Sequence, residues 1–377
     1  MADEGDVYRR LQKHLDALPI AYPSTESGVE LRILRRLFTE EEAEVALGLN
    51  AVPEPVEKIH HRVPNHTEPE LERILDRMVE KGAIFGGPPL ARGGRKRYSR
   101  APLAIGMYEA QVDRLTKELQ QDFEQYAREG FAAALVTGKT KQMRTIPVNA
   151  RFVPDRLVGR YDDARRLIEE GAGPWAARNC VCRQGKDLLG EPCRQTPSRR
   201  VCLMIGPAAQ TSVASGDGQA LTREETFALL DQAEREGMVL QPSNARDPVF
   251  ICFCCGCCCG MLMAAKQFPR PAEYLQSNYH AVVDSDLCSE CGTCHERCPM
   301  EALAAGDGAT AVDLDRCIGC GVCVPTCPTG AVKLRAKAQE TVPPKDLRAL
   351  YGKIMTERFG LVGAAKRIGK ALLGRQI

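Results

Sequence analysis

The spacing of apolar residues changes character along the chain, from helical intervals near the N-terminus to short alternating runs in the middle. Val29, Leu31, Leu34 and Leu37 recur at helical spacing. Thr39 and Glu42 then stand where a hydroxyl and a carboxylate can satisfy each other's backbone donors, which predicts a helix to about Leu49. Pro53 and Pro55 open a short helix through Val63. Thr67 and Glu70 repeat the capping pattern ahead of Leu71, Ile74, Leu75, Met78 and Val79, and Gly82 ends that helix. Ala83–Tyr98, with its Gly86-Gly87-Pro88-Pro89 and Gly93-Gly94, reads as two strands about a loop. The stripe Tyr108, Val112, Leu115, Leu119, Phe123 and Tyr126 predicts one long packing helix from Tyr108 to about Phe131.

Beyond residue 140 the pattern is mixed. Ile146–Val153 reads as a strand, Asp163–Glu170 as a helix, and Thr222–Glu236 as a helix capped by Thr222 and Glu225. Met238–Gln241 and Val249–Phe253 read as short strands. Val342-Pro343-Pro344 marks a linker, after which Leu361, Ala365, Ile368 and Leu372 share a helical stripe opposite Lys366, Arg367 and Lys370. A basic amphipathic tail of this kind suits a partner protein or peripheral contact with an anionic membrane.

Composition narrows the class. The chain has 377 residues, 44% hydrophobic and 27% charged, as in a globular protein of two or three domains. A net charge of +2 gives no global attraction to nucleic acid or to an acidic substrate. Met1–Pro19 is charged throughout and does not read as an export signal, and no apolar run approaches membrane-spanning length, so a cytoplasmic location is expected. Eighteen cysteines against six histidines is the abnormal figure, and in a reducing compartment it points to thiolate ligation of metal.

Eight of those cysteines fall in two runs with one grammar: Cys288-x2-Cys291-x2-Cys294-x3-Cys298-Pro299 and Cys317-x2-Cys320-x2-Cys323-x3-Cys327-Pro328. Short turns between the first three thiols of a run let their sulfurs converge on three iron corners of one cube. A zinc ribbon needs only paired Cys-x2-Cys, without the fourth cysteine and proline, and disulfides do not suit a chain with no visible export signal. Residues of about 280–335 resemble a bacterial-type ferredoxin. The resemblance implies two [4Fe–4S] clusters, one held by Cys288, Cys291, Cys294 and Cys327, the other by Cys317, Cys320, Cys323 and Cys298. Asp284, Asp286, Glu290, Glu296 and Glu301 add negative charge near the first run, which lowers a cluster's potential.

Ten more cysteines lie upstream: Cys180, Cys182, Cys193 and Cys202, then Cys252, Cys254, Cys255, Cys257, Cys258 and Cys259. On an extended stretch Cys252 and Cys254 would share one face and Cys255 the other. Gly256 and Gly260 permit sharp bends toward one centre. Arg183, Arg194, Arg199 and Arg200 offer positive charge that favours thiolates. A further iron–sulfur cluster is the preferred reading, ahead of a four-cysteine zinc site and of dithiol chemistry or simple packing.

The order of elements over residues 29–105 resembles a winged helix-turn-helix domain, with Glu70–Lys81 as recognition helix and Ala91–Arg100 as wing. That resemblance implies DNA binding, but Glu70, Glu72, Asp76 and Glu80 oppose a phosphate field, and only the wing, with Arg92, Arg95, Lys96, Arg97 and Arg100, is basic. The whole arrangement is similar to cysteine-rich ferredoxin-like proteins with a helical front. The expected fold is multidomain α+β: an extension over 1–28, a winged-helix-like domain over 29–106, a connecting helix over 107–139, a cysteine-rich α+β domain over 140–279, a ferredoxin-like 2[4Fe–4S] domain over 280–336, and a linker and basic tail over 337–377. No glycine-rich nucleotide fingerprint, phosphate loop or histidine-rich metal site is visible. The expected function is electron transfer, as carrier or subunit of an oxidoreductase complex with a redox donor and acceptor. The rivals are an iron–sulfur redox sensor regulating transcription and an enzyme whose substrate site lies at the middle cysteines.

Overall fold

The computed structural model describes residues 5–87, 94–153, 159–171 and 173–372, and the tip of the predicted hairpin, including Arg92, lies outside them. The described residues divide into two compact units. One runs through Thr140 and includes Leu188–Gly190 and the chain from Tyr351 onward, and the other comprises Lys141–Asp187 and Glu191–Leu350.

The first unit is mainly helical. Helix α1 (Val7–Asp16) was not foreseen, because its few apolar residues are spread through a charged segment. It is nonetheless amphipathic and buries Tyr8, Leu11 and Leu15. Helices α2 (Val29–Leu37) and α3 (Glu40–Leu47) follow, with α4 (Val56–His60) shorter than the spacing suggested, and α5 (Glu68–Glu80) buries Leu71, Ile74, Leu75 and Met78. Both predicted capping boxes form. The Glu42 carboxylate accepts from the Thr39 backbone N–H at 2.9 Å and from Lys81 Nζ at 2.6 Å, so one buried acid closes α3 and ties it to the end of α5. Thr39→Ala removes the reciprocal acceptor and is expected to cost about 1 kcal/mol in denaturant unfolding.

Strands β1 (Ile84–Gly87) and β2 (Arg97–Arg100) pair antiparallel, and Glu54 adds a bridge to Tyr98. Three of the described basic residues of this hairpin are occupied. Lys96 Nζ meets Asp76 at 2.7 Å and Glu72 at 3.4 Å, Arg95 pairs with Glu57, and Arg97 donates to the Pro53 carbonyl.

One long helix from Tyr108 does not form. Asp113 takes φ +62°, and α6 (Lys117–Tyr126) begins only after Thr116 accepts from the Leu119 N–H. Gly130 interrupts the backbone again before α7 (Ala132–Val136). Val112, Leu115, Leu119, Phe123 and Tyr126 are still buried, because a turn followed by a helix can direct the same side chains inward.

The second unit is built on a five-stranded antiparallel sheet. The predicted strand at Ile146–Val153 is only a bridge from Ile146 to Leu240, followed by a short 3-10 turn at Ala150–Phe152. Helix α8 (Ala164–Glu170) forms as expected, with Asp163 as its cap rather than its first residue. Then come β3 (Trp175–Asn179), α9 (Val181–Leu188), β4 (Arg200–Ile205), α10 (Pro207–Ala214), β5 (Gly218–Leu221), α11 (Arg223–Glu236), β6 (Val239–Pro242) and β7 (Phe250–Cys254). The strand order is β5-β3-β4-β7-β6. The capping box at Thr222 and Glu225 forms at the start of α11. Short helices α12 (Gly260–Lys266) and α13 (Pro271–Tyr274) lead into β8 (Tyr279–Val283).

From there the chain runs through α14 (Thr293–Arg297), β9 (Leu303–Ala305), β10 (Thr310–Val312) and β11 (Val332–Ala336), with β8 paired to β11 and β9 to β10. A single apolar core joins the sheet residues Leu203, Leu240 and Phe253 to Tyr279, Met300, Ile318 and Leu334 of this last segment. The stretch Val342-Pro343-Pro344 is not a free linker: the backbone N–H of Arg246 donates to the Pro344 carbonyl, and that of Asp247 to the Lys345 carbonyl.

Helix α15 (Leu347–Leu372) is broken at Gly360. Of its predicted apolar stripe, the side chains of Ile368 and Leu372 lie outside the described ones, and the other two members are not buried. Leu361 is 78% exposed and Ala365 is exposed, while Ala364 is buried. The break at Gly360 rotates the second half relative to a continuous helix. No described helix is long and apolar enough to cross a membrane.

Candidate metal centres

The two cysteine runs share a backbone as well as a sequence grammar. Each position in the second lies 29 residues after its counterpart, as in 317 − 288 and 327 − 298. Left-handed φ values recur at that same offset: Glu290 (+53°) with Gly319 (+61°), Gly292 (+73°) with Gly321 (+72°), and Glu301 (+55°) with Gly330 (+68°). Such conformations disfavour side chains, so their repetition at three paired positions marks one loop design used twice. Donors to sulfur follow the repeat too. The Ala281 N–H points at Cys317 Sγ (3.3 Å) and its counterpart, the Thr310 N–H, at Cys288 Sγ (3.5 Å). The Ala302 N–H points at Cys298 Sγ (3.3 Å). Backbone donors of this kind stabilise thiolate and raise the potential of a cluster that it holds.

Cys298, Cys317, Cys320 and Cys323 line one cavity, closed by Ile318, Val322 and Leu334 among others. Burial pushes the thiols of Cys298, Cys320 and Cys323 up, because the surroundings disfavour a lone thiolate. A cavity walled by four thiols with apolar backing fits a [4Fe–4S] cube, whose iron would supply the compensating positive charge.

The other set is nearer the surface. Cys291 is exposed, and Cys288 and Cys327 are half-buried. Cys288 and Cys294 both approach Thr310 Oγ1. The backbone N–H of Thr310 holds the Cys288 thiol below its usual range, and the Thr293 hydroxyl does so for Cys291. Cys327 is the repeat counterpart of Cys298 and approaches the Thr329 hydroxyl. Of the acidic residues near the first run, Glu301 is compensated, with Lys266 at 3.0 Å and Arg316 at 3.4 Å.

The ten middle cysteines separate into two groups. Strand β7 ends at Cys254, and a turn through Gly256, Cys257 and Cys258 leads to Cys259 at the start of α12. That turn brings Cys255, Cys257 and Cys258 together with Cys193 from the loop after α9, all four sulfurs lying within 4.8 Å of one another. The separations are 3.6 Å for Cys193–Cys255, 3.7 Å for Cys193–Cys257 and 3.6 Å for Cys257–Cys258.

Cys180, Cys182, Cys202, Cys252, Cys254 and Cys259 form the second group. Cys202 sits opposite Cys252 across β4 and β7, and Cys254 interacts with both Cys252 and Cys259. Cys180 interacts with Cys182, and Gln241 Nε2 reaches Cys259 Sγ at 3.6 Å. Cys252 and Cys254 therefore share a side that Cys255 does not.

Arg183 is the arginine whose guanidinium lies against several of these thiols. Its side chain is almost fully buried at 1% exposure. It donates to the Phe253 carbonyl at 3.0 Å and lies beside Cys180, Cys255 and Cys193. Its Nε and Nη1 are buried without a well-formed hydrogen bond. The Cys255 thiol is held down to about 5, first by the Cys258 thiol and, against burial, by the Arg183 guanidinium. Arg194 contributes its backbone to Cys257. Arg199 pairs with Asp187, its charge reaching Cys193 only as a lesser influence, and Arg200 donates to Gln219. What the sequence did not disclose is Thr310, placed between two thiols by the repeat offset from Ala281, and Gln241, which no motif marks.

No curated protein and no solved structure matches this chain. Residues 280–340, which contain both runs, match the family described as the 4Fe-4S dicluster domain, so this part of the chain is a ferredoxin-type iron–sulfur domain.

Proposed function

We propose that this protein is an electron relay, acting as carrier or subunit of an oxidoreductase between a redox donor and a redox acceptor. The observation that carries the reading is the repeated thiol loop with unequal burial: one four-cysteine set enclosed in a cavity, the other opening at Cys291. In this reading Cys298, Cys317, Cys320 and Cys323 hold one [4Fe–4S] cluster, and Cys288, Cys291, Cys294 and Cys327 hold the other. Such clusters supply reversible one-electron changes of iron valence within an almost rigid cage.

The protein's own part is to orient and insulate. Apolar residues such as Ile318, Val322 and Leu334 keep water from the enclosed set, and the Ala281 and Ala302 N–H groups fix its sulfurs. Arg297 donates to the carbonyls of Glu234 and Arg235, at 2.8 and 2.7 Å, which anchors the end of α14, just before Cys298, to the end of α11. The exposed edge, with Leu287 beside Cys288 and Cys291, is where a partner would dock.

Anaerobic reconstitution tests this reading. About eight iron and eight sulfide per chain, with a paramagnetic signal on reduction by dithionite, is the expected result. Cys320→Ser should remove about half of both while sparing the outer cluster. About twelve iron and twelve sulfide would place a third cluster among Cys180, Cys182, Cys202, Cys252, Cys254 and Cys259. A colourless chain without acid-labile sulfide would end the proposal.

A further inference from the structure

We infer that Cys193, Cys255, Cys257 and Cys258 form a mononuclear, tetrahedral zinc site rather than part of an iron–sulfur cluster. The distinction rests on the spacing of the sulfurs. Four thiolates about 2.3 Å from one zinc ion stand about 3.8 Å apart along each edge of the tetrahedron. On a [4Fe–4S] cube each thiolate extends outward from a different iron, so the sulfurs stand roughly twice as far apart. The three close separations here are 3.6, 3.7 and 3.6 Å, and no pair in the group exceeds 4.8 Å. A disulfide is excluded at that spacing, since it needs about 2.05 Å.

A second observation points the same way. Arg183 is buried with its guanidinium beside Cys180, Cys255 and Cys193. A buried cation requires nearby negative charge. One Zn2+ with four thiolates carries a formal charge of about −2, which the guanidinium halves. Binding the ion displaces the remaining thiol protons to solvent, so loading is accompanied by acid release.

The site's place in the fold assigns its role. All four coordination positions are filled by cysteine, the pattern of a closed structural centre without an open position for substrate. Gly256, between the ligands Cys255 and Cys257, lies so close to the Cys298–Pro299 turn that an added Cβ would sit 2.5 Å from the Pro299 carbonyl oxygen. The zinc loop thus braces the backbone that carries Cys298.

The full chain, reconstituted with iron, sulfide and zinc, should bind about one zinc per chain. Cys193→Ser and Cys258→Ser should each weaken zinc binding by at least about 100-fold, while iron and sulfide at the C-terminal runs persist. In the unaltered chain Co2+ should displace zinc and show the intense visible bands of a tetrahedral tetrathiolate, a readout that does not depend on the variants folding. Absence of zinc, an octahedral cobalt spectrum, a single iron in preference to zinc, or unchanged zinc affinity in both variants would each overturn the assignment. So would loss of iron and sulfide in place of zinc. Failure of the relay reading is separately visible, as missing iron and sulfide beside intact zinc.

Discussion

Gly319→Ala is expected to empty the enclosed cluster site and to cost about 2–5 kcal/mol of stability. Two effects add. Gly319 holds φ +61°, where a β-carbon costs about 1–2 kcal/mol. Its Cβ would also stand 2.2 Å from the Tyr279 carbonyl oxygen and 2.5 Å from the carbonyl carbon, backbone atoms of β8 that cannot swing aside. Overpacking of this kind typically adds about 1–3 kcal/mol. Because Ala281, two residues along β8, gives its N–H to Cys317, any shift of that strand also disturbs a ligand. Iron and sulfide should fall to about half, and the denaturation midpoint should drop.

The repeat supplies a control, since Glu290 already occupies the equivalent position at φ +53°. Glu290→Gly relieves its strain and raises chain entropy by comparable amounts, so stability should stay within about 1 kcal/mol. Full cluster loading in Gly319→Ala would mean that β8 and the Cys317–Cys320 loop are not held as closely as described.

Arg183→Met should lower zinc affinity about 10–100-fold, the usual effect of removing a group that supports metal ligands. Methionine keeps apolar bulk in the pocket but leaves the excess negative charge of the thiolates without its buried partner. Arg183→Lys retains a cation yet lacks the planar fork that reaches the Phe253 carbonyl and the thiols together, so it should fall between the two. Competition against a chromophoric chelator measures all three proteins. Equal zinc affinity in Arg183→Met would show that the guanidinium does not balance the site, and would remove one of its two supports.

Local rules made part of this molecule legible. The capping boxes at Thr39, Thr67 and Thr222 each need only a hydroxyl and an acid one turn apart, and all three form. The strands at β6 and β7 and the β1–β2 hairpin follow from alternation and turn residues. Local rules failed where two conformations bury the same side chains. The stripe from Val112 to Tyr126 is satisfied by a turn and a helix as well as by one helix, and Asp113 and Thr116 decide between them. In the tail, Gly360 breaks the helix and so moves Leu361 and Ala365 to the surface.

By itself the sequence determined the ferredoxin-type domain, because eight cysteines are counted off along two short loops in one repeated spacing, each ending in Cys-Pro, that is specific to this kind of domain. It also marked the ten middle cysteines as an unusual concentration of thiols that favours metal over ordinary packing. Only the tertiary structure decided how those ten divide. Cys193 meets Cys255 across 62 residues of chain, and six other thiols gather where β4, β7 and α9 converge. Such encounters depend on strand order and on where a turn redirects the backbone, which no linear spacing encodes. The burial of Arg183 among the thiols is of the same kind: its charge was plain in the sequence, and its role came from the fold that removed it from water.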